Sequence, residues 1–196
     1  MNKVKHKAEI LSPCGSFESL IAALRTGCDA VYVGGKSLSA RQGADNFSQE
    51  EIIGGAKLCH RYGVKIYQAI NTVFTDGETE LVVRELENAC KAGIDGIIVQ
   101  DLGVFEIARR LCPTLPLHAS TQMAIHSPMG VDFAKEIGAV RAVAARELSR
   151  EEISELCKCG LEIEVFVHGA LCMCLSGQCY MSAMIGSRSA NRGRCA

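Results

Sequence analysis

One pattern runs the length of the chain. Short apolar runs, most of them closing on Gly, Asn, Asp or Ser, recur seven times in 196 residues, and after each of the first six a longer segment with helical spacing follows. The runs fall at 9–12, 30–33, 64–70, 96–99, 117–119, 139–144 and 162–167. Short apolar runs bounded by turn residues fit strands covered on both faces. Strands that alternate with helices imply parallel β/α units. The helix starts carry their own signals. Ser48 with Glu51 and Ser149 with Glu152 both have capping spacing, Ser16 opens the first helix, and Gly27 closes it. Seven such units predict an α/β fold, a (β/α)8 TIM-like barrel over residues 1–196. It is cut short before its eighth unit, because such barrels need about 250 residues. A doubly wound sheet is the alternative. Its dinucleotide-binding version is disfavoured, because no G-x-G-x-x-G opens the first helix.

In a barrel the residues just past the strands share one rim, where sites form. Here they are Cys14, Gly34, Gly35, Asn71, Gln100, Asp101, Ser120, Thr121, Gln122, Glu147 and His168. Each alone reads as a turn former or helix cap. Their recurrence across the units predicts a site to which Arg41, Asn46, Gln100, Gln122, Glu147 and His168 converge. Arg41 and Asn46 lie in the long loop after the second strand, and Arg41 can grip a carboxylate or phosphate with two hydrogen bonds. Gln122, Glu147 and His168 are the rim candidates for catalysis. Tyr32, Phe47 and Tyr67, near strand ends, are candidates to stack on a base, with the core as the other reading.

Composition narrows the class. The chain is 48% apolar and 22% charged, with a formal net charge of -1, so no global field favours nucleic acid or an acidic membrane. No apolar run is long enough for a membrane span. The start has three lysines but turns polar too soon for a signal peptide, which predicts a cytoplasmic protein. The oligomeric state is not legible.

Eleven cysteines are many for a reducing compartment, where metal or redox chemistry is the usual alternative to disulfides. Cys28, Cys59, Cys90, Cys112 and Cys157 fall in or beside helices and read as small apolar side chains. Cys172, Cys179 and Cys195 differ. All three follow the last strand, with six residues between the first pair and fifteen between the second. Thiolates on such loops suit a soft metal centre, but these loose spacings leave a metal site and incidental thiols both open.

The stretch Glu164-x-Phe166-x-x-Gly169-Ala170-Leu171-Cys172-x-x-x-x-Gly177-x-Cys179-x-Met181-Ser182 resembles the signature of the collagenase-like peptidase family, peptidase family U-thirty-two. Leu11 to Ser16, Ala30 to Gly35, Ser39 to Phe47, His118 to Gln122 and Ala145 to Ser149 are similar to the family too. Cys14 departs from it, since members usually carry a small residue such as Ala there. The resemblance implies two kinds of activity. Some members are described as collagenases. Others are oxygen-independent hydroxylation proteins that hold a four-iron four-sulfur cluster on four cysteines and act on tRNA, rRNA or a ubiquinone precursor. Prephenate is implicated as oxygen source for the RNA-modifying ones. On this resemblance Cys172, Cys179 and Cys195 match three cluster ligands. The fourth is expected beyond Ala196, with Cys174 as a stand-in.

The residues themselves favour hydroxylation over proteolysis. There is no H-E-x-x-H and no G-x-S-x-G. A Cys172–His168 pair is the one nucleophile arrangement available to a peptidase. Support for an RNA partner comes from the tail: 165–196 holds no Asp or Glu, while Arg188, Arg192 and Arg194 fall within seven residues. A peptide substrate and a non-catalytic fragment are the alternatives.

Overall fold

Seven strands form, and all pair in parallel in chain order: β1 (Leu11–Cys14), β2 (Ala30–Gly34), β3 (Lys65–Ile70), β4 (Gly96–Val99), β5 (Leu117–Ala119), β6 (Arg141–Val143) and β7 (Glu162–Glu164). They were obtained as a computed structural model, which describes residues 8–40, 45–169 and 172–195. Six helices connect or follow them: α1 (Phe17–Thr26), α2 (Gln49–Arg61), α3 (Thr79–Ala92), α4 (Leu102–Leu111), α5 (Pro128–Glu136) and α6 (Arg150–Leu156). A short α7 (Met181–Gly186) lies in the C-terminal segment. Among the described residues no helix is long and apolar enough to cross a membrane.

The helix starts follow the sequence signals. Ser48 accepts from the backbone N–H of Glu51 while Glu51 reaches back to Ser48, and Ser149 and Glu152 repeat this. Ser16 and Ser19 close a box of the same kind on α1. Gly27 takes the left-handed conformation, φ 82°, that ends α1.

Side-chain alternation divides the core into two layers. Val31, Val33, Ile66, Ile70, Ile97 and Val99 face outward onto Leu20, Ile52, Leu86 and Phe105 of the helices. Ala30, Tyr67 and Ile98 face inward. Two strand ends differ from expectation. β1 runs on through Pro13 and Cys14, which the sequence places in a turn. It pairs only with β2, and an outer strand tolerates a missing backbone donor. Cys14 therefore points outward into the helix layer and is not a rim residue; burial, ahead of the neighbouring Cys28 and Cys59, pushes its thiol up to about 12. β7 stops at Glu164, level with Val143, the last residue of β6, so 165–167 have no strand to pair with. Cys28, Cys59 and Cys112 are core thiols as expected; Cys90 and Cys157 are exposed.

The sheet is strongly curled, and the side chains inside it show how far. Arg141 on β6 donates to Glu9, just before β1, at 2.8 Å. In a flat sheet, five strand spacings would hold those residues about 24 Å apart. Arg141 also binds Glu162 at 2.8 Å and lies 3.6 Å from Glu164, too far for a hydrogen bond but within ion-pair range. Its guanidinium stacks 5.2 Å over the ring of Tyr67, which in turn meets His118 edge-on at 4.6 Å. Lys65 completes the group with a 3.0 Å bond to Glu9. Glu9, Lys65, Arg141 and Glu162 all stand at strand starts, so they tie together the end of the barrel opposite the rim, where conserving shape is the usual role.

Candidate functional site

The C-terminal segment lies across the rim and is fastened to four of its loops. Ser176, fully buried, is the firmest attachment. Its N–H and hydroxyl donate to the two oxygens of Glu147 at 2.7 and 2.8 Å, while its Oγ accepts from the Arg146 backbone and Nε at 3.3 and 3.2 Å. Gly177 packs directly on the Gln122 carbonyl. Further along, Arg192 pairs with Glu78, and Gly193 lies against the Ser39 carbonyl and Ala40. Ala40 is itself tied to the Asn71 side chain at 2.9 Å. The loops after β2, β3, β5 and β6 thus hold one strap.

The strap carries the cysteines. Cys172 is exposed, and its thiol is held below the ordinary range by the Cys174 backbone N–H and then by the Arg146 side chain. Cys174 touches Cys179, and that contact pushes its thiol up. Cys195 follows the turn that meets Ser39 and is exposed. Soft thiol donors beside a cation suit an iron–sulfur group in donor type. In geometry, no three His, Cys, Asp or Glu side chains among the described residues stand at metal-binding distances from one another.

Beside the strap opens a cleft of about 440 Å³ lined by Val73, Gln100, Asp101, Leu102, Gln122, Met123, Phe133 and Gln178. Asp101 is already engaged: it caps α4 through the N–H groups of Gly103 and Val104. Gln100 and Gln122 meet here, as two of the six residues expected to converge. The others are placed elsewhere. Asn46 packs beside Gly34, where a Cβ on the glycine would come 2.8 Å from its Oδ1. Glu147 is taken up by Ser176; burial alone would raise its pKa, but the two bonds from Ser176 hold it below the usual carboxylate value. His168 is exposed beyond β7. Arg41 lies outside the described residues. Of the aromatic candidates, Phe47 is core and Tyr67 is taken by Arg141 and His118, so neither is free to stack on a ligand. Sequence reading missed Ser176 and Gln178. A lone Ser and Gln inside a cysteine-rich loop carry no signal until the fold shows what they touch.

A parallel β/α barrel with a cysteine-bearing strap across its rim defines the class of protein. The family follows from comparison: the model of peptidase family U32 matches residues 15–196, and the chain belongs to that family. It is 39% identical over 193 residues to tRNA hydroxylation protein P1 of Bacillus subtilis, covering 98% of this chain and 46% of that protein. It is also 39% identical over 196 residues to the 23S rRNA 5-hydroxycytidine synthase of Escherichia coli, covering 100% of this chain and 29% of that protein. The chain therefore spans less than half the length of either relative. A solved U32 peptidase structure superposes with a TM-score of 0.69 at 16% identity, covering 84% of this chain and 70% of that one, which shows the shared fold.

Proposed function

We propose that this chain is the barrel of a cytoplasmic enzyme that hydroxylates an RNA base without molecular oxygen, and that Cys172, Cys179 and Cys195 are ligands of a four-iron four-sulfur cluster. The observation that carries the reading is the strap, which sets four cysteines on the rim beside a cleft holding Gln100 and Gln122, in a chain whose relatives are named for tRNA and rRNA hydroxylation. When bound, such a cluster supplies one-electron chemistry. A further thiolate completes it. Cys174, already in contact with Cys179, is the donor at hand in this chain. Closing the set requires Cys195 to approach the other thiols. The Cys174 backbone N–H, and after it Arg146, hold the Cys172 thiol toward its ionised form, the form a metal binds. Gln100 and Gln122 bind the substrate base. Arg41 and Asn46 serve an anionic group, either an RNA phosphate or a prephenate co-substrate.

One observation favours a second reading. The lowered Cys172 thiol also suits a nucleophile, which would make the chain a peptidase acting on peptides. The two readings part on iron. Anaerobic purification of the protein followed by iron and sulfide analysis should find both. Cys172→Ser, Cys179→Ser and Cys195→Ser should each abolish iron binding, and Cys59→Ser and Cys90→Ser should leave it intact. Iron content unchanged in all three rim variants would overturn the cluster and make Cys172 the first residue to test for peptide hydrolysis.

A further inference from the structure

The cleft beside the strap has a chemistry of its own. Three of its eight lining side chains are carboxamides: Gln100, Gln122 and Gln178. None is Lys, Arg or His, and the one acid, Asp101, is spent on capping α4. A wall with no cationic side chain favours a neutral ligand over a phosphate or a carboxylate. It suits a neutral ligand that both donates and accepts hydrogen bonds, because each carboxamide offers an acceptor and two donors. The remaining lining is apolar and includes Phe133, 44% exposed, together with Met123. An aromatic face next to amide groups is how proteins hold an unstacked base: the ring stacks, and the polar groups read its edge. The cleft, about 440 Å³, is open to solvent, so a ligand lies on it and is not enclosed by it. Gln100 adds a second observation. Its Oε1 has no partner among the described residues and is shut off from solvent as the side chain stands, a state that costs free energy until the carboxamide turns to meet a donor.

Gln178 comes from the strap, not the barrel. It stands directly before Cys179, its N–H is bonded to the Leu175 carbonyl at 3.1 Å, and Gly177 beside it rests on the backbone of Gln122. Two of the three carboxamides are therefore placed by a single contact, and one is tied to the cysteine loop.

Resting on the RNA reading above, we infer that this cleft seats an extruded nucleobase, stacked on Phe133 and read by Gln100, Gln122 and Gln178. Gln178 is the specificity-determining residue that links base recognition to the cysteine strap. An anionic co-substrate binds elsewhere.

The test measures binding of the protein to three short RNA stem–loops. One carries a single cytidine in its loop, one a uridine at the same place, and one an abasic site there. The cytidine or uridine loop should bind about tenfold more tightly than the abasic loop. Phe133→Ala and Gln178→Ala should each remove most of that advantage, while the abasic loop, with no base to seat, binds parent and variant alike. Gln178→Glu exchanges a donor for an acceptor at nearly constant size, and should change the preference between cytidine and uridine. Equal binding of all three loops by the parent protein would overturn the base cleft and leave the RNA reading standing. An advantage that survives both alanine variants would overturn it too. Binding of none of the three would overturn the RNA reading itself.

Discussion

Gly177 sits so close to the Gln122 carbonyl that a side chain of any size on it would overlap that oxygen, and its φ of 71° is one that L residues rarely adopt. Two independent constraints thus require glycine at the point where the strap meets the loop after β5. Gly177→Ala should lift the strap from the rim. The change is local, so we expect thermal stability to fall by only about 1 kcal/mol, while amide hydrogen exchange across 172–179 speeds up and, on the cluster reading proposed above, iron binding is lost. Unchanged exchange in that segment would show that the contact does not hold the strap.

The Glu147–Ser176 clamp should behave as a pH-dependent fastening. The folded-state pKa of Glu147 lies below its ordinary value, so its contribution is present above that ordinary value and is lost as pH falls through the folded one. Acidification toward pH 4 and below should loosen 172–179 before the barrel unfolds. Glu147→Gln keeps the shape and loses the charge; it should loosen the segment at neutral pH and abolish the acid response. Hydrogen exchange at two pH values checks both.

Arg141 should be the least replaceable charge in the molecule. Burial alone would lower its pKa, and the Glu9 and Glu162 carboxylates more than reverse that. Arg141→Ala leaves the Glu9 and Glu162 carboxylates at one end of the barrel with Lys65 as their remaining cation. Because Glu162 is largely exposed, we expect a loss at the lower end for such pairs, about 3 kcal/mol by denaturant unfolding. Arg141→Met should recover packing on Tyr67 but not the charge. A cost below about 1 kcal/mol for both would mean that water screens the network.

Two groups in the barrel interior should oppose each other as pH changes. Burial, only partly offset by Arg141, raises Glu164 to about 7. The folded state therefore holds its proton more tightly, and stability falls as pH rises from the ordinary carboxylate value through 7. Burial, aided by Arg141, lowers His118 to about 4. The folded state binds that proton less well, so this contribution is complete above the ordinary imidazole value and is lost as pH falls toward 4. The two windows overlap, and each effect is worth roughly 3 kcal/mol. The parent protein should thus show nearly flat stability between pH 4.5 and 6.5. Glu164→Gln should become more stable with rising pH over that interval, and His118→Asn less stable. Flat profiles in both variants would refute the assignment.

The parts of this molecule that depend on neighbours in sequence were legible without coordinates. The seven strands and the boxes at Ser48 and Ser149 come from local periodicity and capping, and they form in the expected order, with the ends of β1 and β7 displaced. Relations between distant residues were not legible. Glu9 and Arg141 stand 132 residues apart, and each reads in sequence as an ordinary polar residue at a strand start. Cys14 looked like a rim group because Pro13 looked like a turn; only the one-sided pairing of β1 explains why the strand passes through both. Of the site, Gln100 and Gln122 were found because they follow strands. Gln178 belongs to a loop whose position depends on Ser176 and Gly177.

The strap also bears on how the molecule forms in time. Arg192 meets Glu78 across 114 residues of chain, and Ser176 meets Glu147 across 29. Contacts of that span are late and slow to close, because the entropy of the intervening loop is spent before the contact returns anything. Every anchor of the strap lies on a loop that exists only once β2 through β6 have paired. The cysteines of the strap are therefore expected to be the last part of the chain to find their place. On the cluster reading proposed above, iron would best be delivered late, onto a barrel already built.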